Sequence, residues 1–280
     1  MIMTIPPVAL LAVLLGAVLH ASWNLVVRAR RNRNREMAVV VVGGTVLAVI
    51  LLPFLPQPHR AAWPFLGISA VLHIGYFALI AEAYSRGEVS LAYPLMRGTA
   101  PMLAAVLAWA ILGEQLALAG WLGIAVICGG VALLARPKGP SAGRGAICPS
   151  LINAVVIAAY TLNDATGARV SGDAVAYAFW IFPLSALPVL LWLNRSQPLR
   201  WMSRAEWLRG LGGGACTLAA YSLALWAMTI APIAPIAAFR EASMLFGIAL
   251  ARIFLGERPD RRRWAAAAAI AAGAAILRLG

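Results

Sequence analysis

The chain has 280 residues, of which 62% are hydrophobic and 12% charged, with a net charge of +13 and a mean hydropathy of +0.84. A soluble domain carries about 45–50% apolar and about 25% charged residues, so this composition excludes an ordinary water-soluble globule and points to a lipid-embedded chain. In a soluble protein such a basic excess would suit nucleic acid. Here the arginines lie between long apolar runs, where they set membrane topology, and no nucleic-acid partner is expected.

About 20 apolar residues cross the hydrocarbon core. The first run, 6–27, has no Lys or Arg before it and is too long for a cleaved signal. It reads as a spanning helix and carries His20, Trp23 and Asn24. After the basic stretch Arg28–Glu36, a second span is predicted over 37–55. The break Pro56-Gln57-Pro58-His59-Arg60 ends it. The third span, 63–85, holds His73, Tyr76, Glu82 and Tyr84. Only 86–88 separates it from the fourth, 89–112, which holds Tyr93, Pro94, Arg97 and Pro101, so these two are antiparallel neighbours. The fifth span covers 117–135 and is followed by the polar connection Arg136–Arg144.

The sixth span, 148–167, holds Tyr160, Asn163 and Asp164, and the seventh, 174–193, contains Pro183 and Pro188. Beyond Asn194–Arg204 come 206–229, with Tyr221 and Trp226, and 233–255, with Pro235, Arg240 and Glu241. The last span is 262–279. The cysteines Cys128, Cys148 and Cys216 are odd in number and lack disulfide or zinc spacing. No metal or cofactor is expected.

Ten spans put both termini on one side. Apart from Arg97, Arg240 and Arg252 within helices, every Lys and Arg except Arg60, Arg169 and Arg278 is then assigned to the opposite side. Basic loops stay cytoplasmic, so the reading is a multi-pass protein of the bacterial inner membrane with periplasmic termini.

Arg97 and Arg240 are 143 residues apart, and the same offset links Leu112-Gly113-Glu114 with Leu255-Gly256-Glu257, Trp121 with Trp264, and Gly130 with Gly273. One register shared by Arg, Glu and Trp marks an internal duplication, with the first repeat at 1–140 and the second at 141–280. Each copy has five helices, so the second enters from the opposite face. The expected fold is an all-α membrane protein with ten transmembrane helices as two inverted five-helix repeats. In such carriers the substrate site lies near the midplane, between the halves.

The segments Leu19-His20-Ala21-Ser22-Trp23-Asn24 and Tyr93-Pro94-Leu95-Met96-Arg97-Gly98, with the two Leu-Gly-Glu signatures, resemble the EamA-type transporters of the drug/metabolite transporter superfamily. The resemblance covers nearly the whole chain. It implies a basket-like cavity lined chiefly by the first, third, fourth, sixth, eighth and ninth helices. It also implies transport of a small metabolite, with amino-acid export among the characterised bacterial members. The smaller relatives couple protons through a glutamate in their first helix, which this chain lacks.

Charged groups inside a bilayer normally face a cavity or a partner. Arg97 and Arg240 can grip a carboxylate or phosphate with a planar fork, and Glu241 can hold an ammonium group or tie helices together. Successive helical residues diverge by about 100°, so Arg240 and Glu241 need not pair. Glu82 and Asp164 lie within four or five residues of loop arginines and read as interfacial ion pairs. Glu114 and Glu257 read as helix-end contacts.

His20 and His73 are the in-helix histidines, with a pH-responsive or a merely hydrogen-bonded role open to each. Trp23, Tyr93, Tyr76, Tyr160, Tyr221 and Trp226 supply aromatic wall or ordinary packing, and Asn24 and Asn163 touch substrate or bridge helices. The helix prolines, Pro94 and Pro235 above all, are candidate hinges. These readings favour a secondary transporter of a small metabolite, an exporter of amino acids or related zwitterions by alternating access. The alternative is an exchanger of organic anions or phosphorylated metabolites. No HExxH, GxSxG or Walker A motif is present, so neither an enzyme nor an ATP-driven pump is expected. A monomer suffices to complete the pathway.

Overall fold

The computed structural model describes residues 5–30, 32–135, 144–196 and 202–279, which are helical with no strand among them. The helices are α1 (Pro7–Arg28), α2 (Arg33–Leu51), α3 (Trp63–Arg86), α4 (Val89–Leu112), α5 (Leu118–Ala132), α6 (Arg144–Val170), α7 (Ala174–Ser196), α8 (Arg204–Ile230), α9 (Ile233–Phe239), α10 (Ala242–Leu255) and α11 (Arg261–Leu279). Helices α9 and α10 together form one crossing, Ile233–Leu255, which gives ten crossings among the described residues. Of the polar connections expected at Arg136–Arg144 and Asn194–Arg204, residues 136–143 and 197–201 lie outside the described residues, as does the expected repeat boundary.

Seven segments are long and apolar enough to span a membrane, and α5 and Ala174–Ala186 of α7 are shorter apolar helices. Large apolar side chains such as Leu11, Val71, Ile111 and Phe254 are exposed and form an outer surface suited to lipid. The helix ends follow local chemistry. Pro7 occupies the first turn of α1, where its missing N–H costs nothing. Ser203 and Glu206 form a capping box on α8, satisfying two otherwise orphaned N–H groups.

The repeated Leu-Gly-Glu signature has a structural cause. Gly113 and Gly256 end α4 and α10 in left-handed conformations, with φ of 69° and 65°. That conformation is costly for a residue with a Cβ. The following residues close the helices in the same way: the Glu114 N–H donates to the Ala108 carbonyl and the Glu257 N–H to the Ala251 carbonyl. This is the bonding expected of a glycine-terminated helix.

Packing follows a pseudo-twofold pattern. Helix α5 lies against α11, α2 against α7, and α4 against α9. The α3–α6 contact is mirrored by α8–α1, and α4–α6 by α10–α1. The α2–α8 pair approaches closely at Gly43, Gly44, Gly210 and Gly214. A Cβ on Gly43 would meet the Gly210 carbonyl oxygen at 2.0 Å. Small residues let backbones meet inside a bilayer, where packing rather than water exclusion drives association. Two crossed ion pairs fasten the same helices at their starts: Arg35 to Glu206 and Arg209 to Glu36, each at 2.6 Å.

The repeats differ at one point. Helix α4 runs unbroken through Pro94 and Pro101, whereas its counterpart breaks at Arg240–Glu241, five residues after Pro235. Around that break the bonds tighten to i−3 spacing: the Glu241 N–H to Ala238 at 3.0 Å, Ser243 to Arg240 at 3.1 Å and Met244 to Glu241 at 2.9 Å. Such tightening inside a long helix often marks a functional hinge. The bend expected near the prolines is thus at the charged pair.

Candidate functional site

The break sends two consecutive charged side chains in different directions. Glu241 is buried and meets Arg97 of α4, with Arg97 Nη2 2.8 Å from Oε1 and Nε 3.2 Å from Oε2. This two-pronged contact joins the repeats across 144 residues and occupies both carboxylate oxygens. Arg240 faces the central cavity instead. Its guanidinium carbon lies 5.5 Å from the centroid of the Tyr221 ring, within the range of cation–π attraction. No ion pair involves Arg240 among the described residues.

The cavity has a volume of about 230 Å³. Arg97 and Arg240 line it, as do His20, Trp23 and Asn24 of α1, His73 and Tyr76 of α3, Tyr93 of α4, Tyr160 of α6 and Tyr221 of α8. The lining draws on the middle and later parts of α1 and α3 and the early halves of α2 and α4. It therefore runs from mid-depth toward the face of the α1–α2 and α3–α4 connections. Aromatic rings form its wall. His73 stacks on Tyr160 with centroids 4.6 Å apart, and Tyr76 meets Tyr160 edge-on at 5.8 Å. Trp23 donates from Nε1 to His20 Nδ1 at 3.4 Å, and Asn24 donates to the His20 carbonyl.

Three expected site residues do not line the cavity. Glu241 lies behind Arg97. Trp226 packs against the hydrophobic core. Asn163 donates to the Phe65 carbonyl at 2.8 Å and to Asp164 at 3.0 Å, bridging α6 to α3. Conversely, α2 and α7 contribute wall residues that the resemblance did not imply, among them Met37, Val40, Phe182 and Ser185. Ser185 Oγ donates to the Ile181 carbonyl, so its polarity is absorbed within α7. Apolar residues of this kind carry no local signal in a sequence that is apolar throughout.

Asp164 is the clearest correction. It is fully buried and forms no ion pair among the described residues. It accepts from Tyr221 Oη at 2.5 Å, from Asn163 Nδ2 at 3.0 Å and from Tyr177 Oη at 3.4 Å. The arginine five residues later turns away: Arg169 reaches Glu114 at 3.0 Å and donates to the Met228 and Ala231 carbonyls at 2.9 and 3.1 Å. Those carbonyls end α8, where a cation complements the helix dipole. Glu82 behaves as expected and pairs with Arg86 one turn on.

The two faces carry related but unequal ion contacts. On the face away from the cavity, Glu114 joins Arg169 and also accepts the Ile233 N–H at the start of α9, at 2.8 Å. On the cavity face, its counterpart Glu257 takes Arg28 at 2.6 Å and Arg263 at 3.1 Å. Its side chain is 29% exposed, against 10% for Glu114, so the cavity-side contact is the wetter one. No acidic side chain lines the cavity among the described residues.

A search of curated proteins found no match. One solved crystal structure shares the fold over 97% of this chain and 98% of its own, with a TM-score of 0.74 and 19% identity. The EamA-like transporter family matches twice in tandem, at residues 7–136 and 145–279, bracketing the two halves seen in the packing. With a match over nearly its whole length, the chain belongs to the EamA-like transporter family and is a multi-pass membrane transporter.

Proposed function

We propose that this transporter is a secondary carrier that grips a small carboxylate-bearing metabolite at Arg240 and moves it by alternating access. The observation that carries the reading is Arg240 itself, which among the described residues is a cation without an ion-pair partner on an aromatic-walled cavity that no acid lines. A guanidinium stays charged and forks onto a carboxylate. Arg97 already spends its charge on Glu241, so Arg240 is the primary grip and Arg97 a neighbour that fixes the pocket. Tyr76, Tyr93 and Tyr160 offer ring faces to an organic body.

The same pocket bears on substrate class. Glu241, the acid expected to hold an ammonium group, is taken up by Arg97. Organic anions therefore fit better than zwitterions. Amino acids remain a second reading because the tyrosine faces can hold an ammonium group by cation–π attraction. The unequal faces support a carrier resting open toward the basic loops, and the loop arginines support a cytoplasmic-facing cavity in an inner membrane with both termini periplasmic. One chain forms the whole cavity, so a monomer suffices.

The test is counterflow in liposomes, with labelled organic carboxylates and amino acids screened side by side. Arg240→Ala should lower counterflow of every accepted solute by about tenfold or more, as for loss of a charge-assisted pair. Unchanged uptake by Arg240→Ala refutes the assignment. Amino acids outcompeting the matching carboxylates without an ammonium group would favour the second reading.

A further inference from the structure

Asp164 is a carboxylate at 0% exposure that the grip on substrate does not use. Only one of its three donors reaches the cavity: Tyr221 lines the wall and donates to Asp164 Oδ2 at 2.5 Å, while Tyr177 and Asn163 hold Oδ1 from behind. The opposite face of this arrangement is Arg240, whose guanidinium lies over the Tyr221 ring. One tyrosine thus separates the carboxylate from the cation. We infer that Asp164 is the proton-binding site of the carrier, loaded through the Tyr221 hydroxyl when an anion occupies Arg240, an inference that rests on the reading of Arg240 above.

The charge balance supplies the coupling. With the cavity empty, one cation and one carboxylate flank Tyr221. A bound anion leaves two negative groups against one positive in a poorly screened interior. A proton on Asp164 restores the balance, so anion and proton favour each other's binding, and by linkage the effect is reciprocal. The transfer conserves atoms and charge. A cavity hydronium gives a proton to Tyr221 Oη as the Tyr221 O–H proton passes to Asp164 Oδ2, and a water molecule is left.

The other charged and titratable groups around this point are already engaged. Tyr160 of α6 stacks on His73 of α3, whose Nδ1 lies 2.9 Å from the Ser69 carbonyl. Asp173, just before α7, caps Val175 and Ala176. Arg97 of α4 pairs with Glu241, and Arg169 with Glu114. Coupled this way, an inward proton gradient drives uptake rather than the export suggested by the family resemblance.

The test uses the full chain in liposomes with phenylpyruvate as probe, a carboxylate ionised throughout the working pH range, and a pH-sensitive dye in the lumen. Wild type should accumulate the probe against its gradient when the outside is acid, with protons entering alongside it. Asp164→Asn should keep probe exchange at zero gradient yet lose accumulation. Tyr221→Phe should slow gradient-driven uptake by about tenfold or more, as for loss of a proton-transferring group, whereas Asp164→Glu, which keeps a carboxyl, should retain the accumulation that Asp164→Asn loses. Infrared difference spectra on adding probe should show a protonated carboxyl that Asp164→Asn abolishes.

Wild-type uptake without proton entry overturns the inference even if Asp164→Asn fails to fold. Full accumulation by Asp164→Asn overturns it too. If Arg240→Ala binds phenylpyruvate as wild type does, the grip fails and this inference fails with it. If that variant loses binding while Asp164→Asn accumulates normally, only the proton site is refuted.

Discussion

Arg97 and Glu241 show how much one buried pair can be asked to do. Both are nearly inaccessible, and each is the other's sole ion-pair partner among the described residues. Removing one partner strands the other charge, which costs about 3–5 kcal/mol, whereas replacing both with apolar residues of similar size is often close to neutral. Arg97→Met alone should therefore sharply lower thermal stability in detergent, and adding Glu241→Leu should recover most of it. A double variant as unstable as the single one would mean that Arg97 is held by something other than this carboxylate. The sequence made both residues visible, because charge is rare in such a chain. It did not show that they pair, since residues 144 apart meet only through the fold. Asp164 failed for the converse reason. A nearby arginine in sequence suggested a partner, but one and a half helical turns point Arg169 at helix-end carbonyls and leave Asp164 to the tyrosines.

At the scale of elements, the face contacts and the glycine seam make separate predictions. Glu114 holds Arg169 and caps α9 together, so Glu114→Ala releases three elements at once. With the native cysteines replaced by serine, a cysteine at the buried Ala231 should react with a polar thiol reagent about tenfold faster in the Glu114→Ala background, as expected if an ionic hydrogen-bonded contact of about 1.5–3 kcal/mol is lost. An equal rate would show that this face is held by apolar packing. The α2–α8 seam is less forgiving. A Cβ on Gly214 would sit 2.1 Å from the Gly44 nitrogen, with backbone on both sides and no flexible side chain to yield. Gly214→Val should force the helices apart, and the yield of folded protein on size-exclusion chromatography should fall well below that of Gly212→Val, where the added group meets open space. The Leu-Gly-Glu helix ends were legible because a left-handed glycine cap is local chemistry, repeated at a constant offset. The break in the ninth crossing was not, because α4 tolerates two prolines without breaking while its counterpart gives way at a charged pair with no proline in it.

At the scale of the whole molecule, an inverted repeat means that every contact on one face has a possible twin on the other. The fixed 143-residue register pairs Glu114 with Glu257 and Ile233 with Ser90. Glu114 seals its face by taking the Ile233 N–H at the start of α9, while Glu257, on the cavity face, is held by Arg28 and Arg263. If the two halves exchange roles, the state open to the other side should have Glu257 on the start of α4 near Ser90, with the Glu114–Ile233 contact undone. Two paired-cysteine variants test this. Glu114→Cys with Ile233→Cys should cross-link readily at rest and trap the carrier closed on that face. Glu257→Cys with Ser90→Cys should cross-link slowly at rest and faster during turnover, and the product should no longer exchange substrate until reduced. A ligand shifts such an equilibrium only by its differential affinity for the two states, so a non-transported blocker that holds the resting state should suppress the second cross-link and leave the first intact. Equal cross-linking of both pairs under all conditions would mean that the faces do not alternate, and the two halves would then be a static scaffold around one cavity.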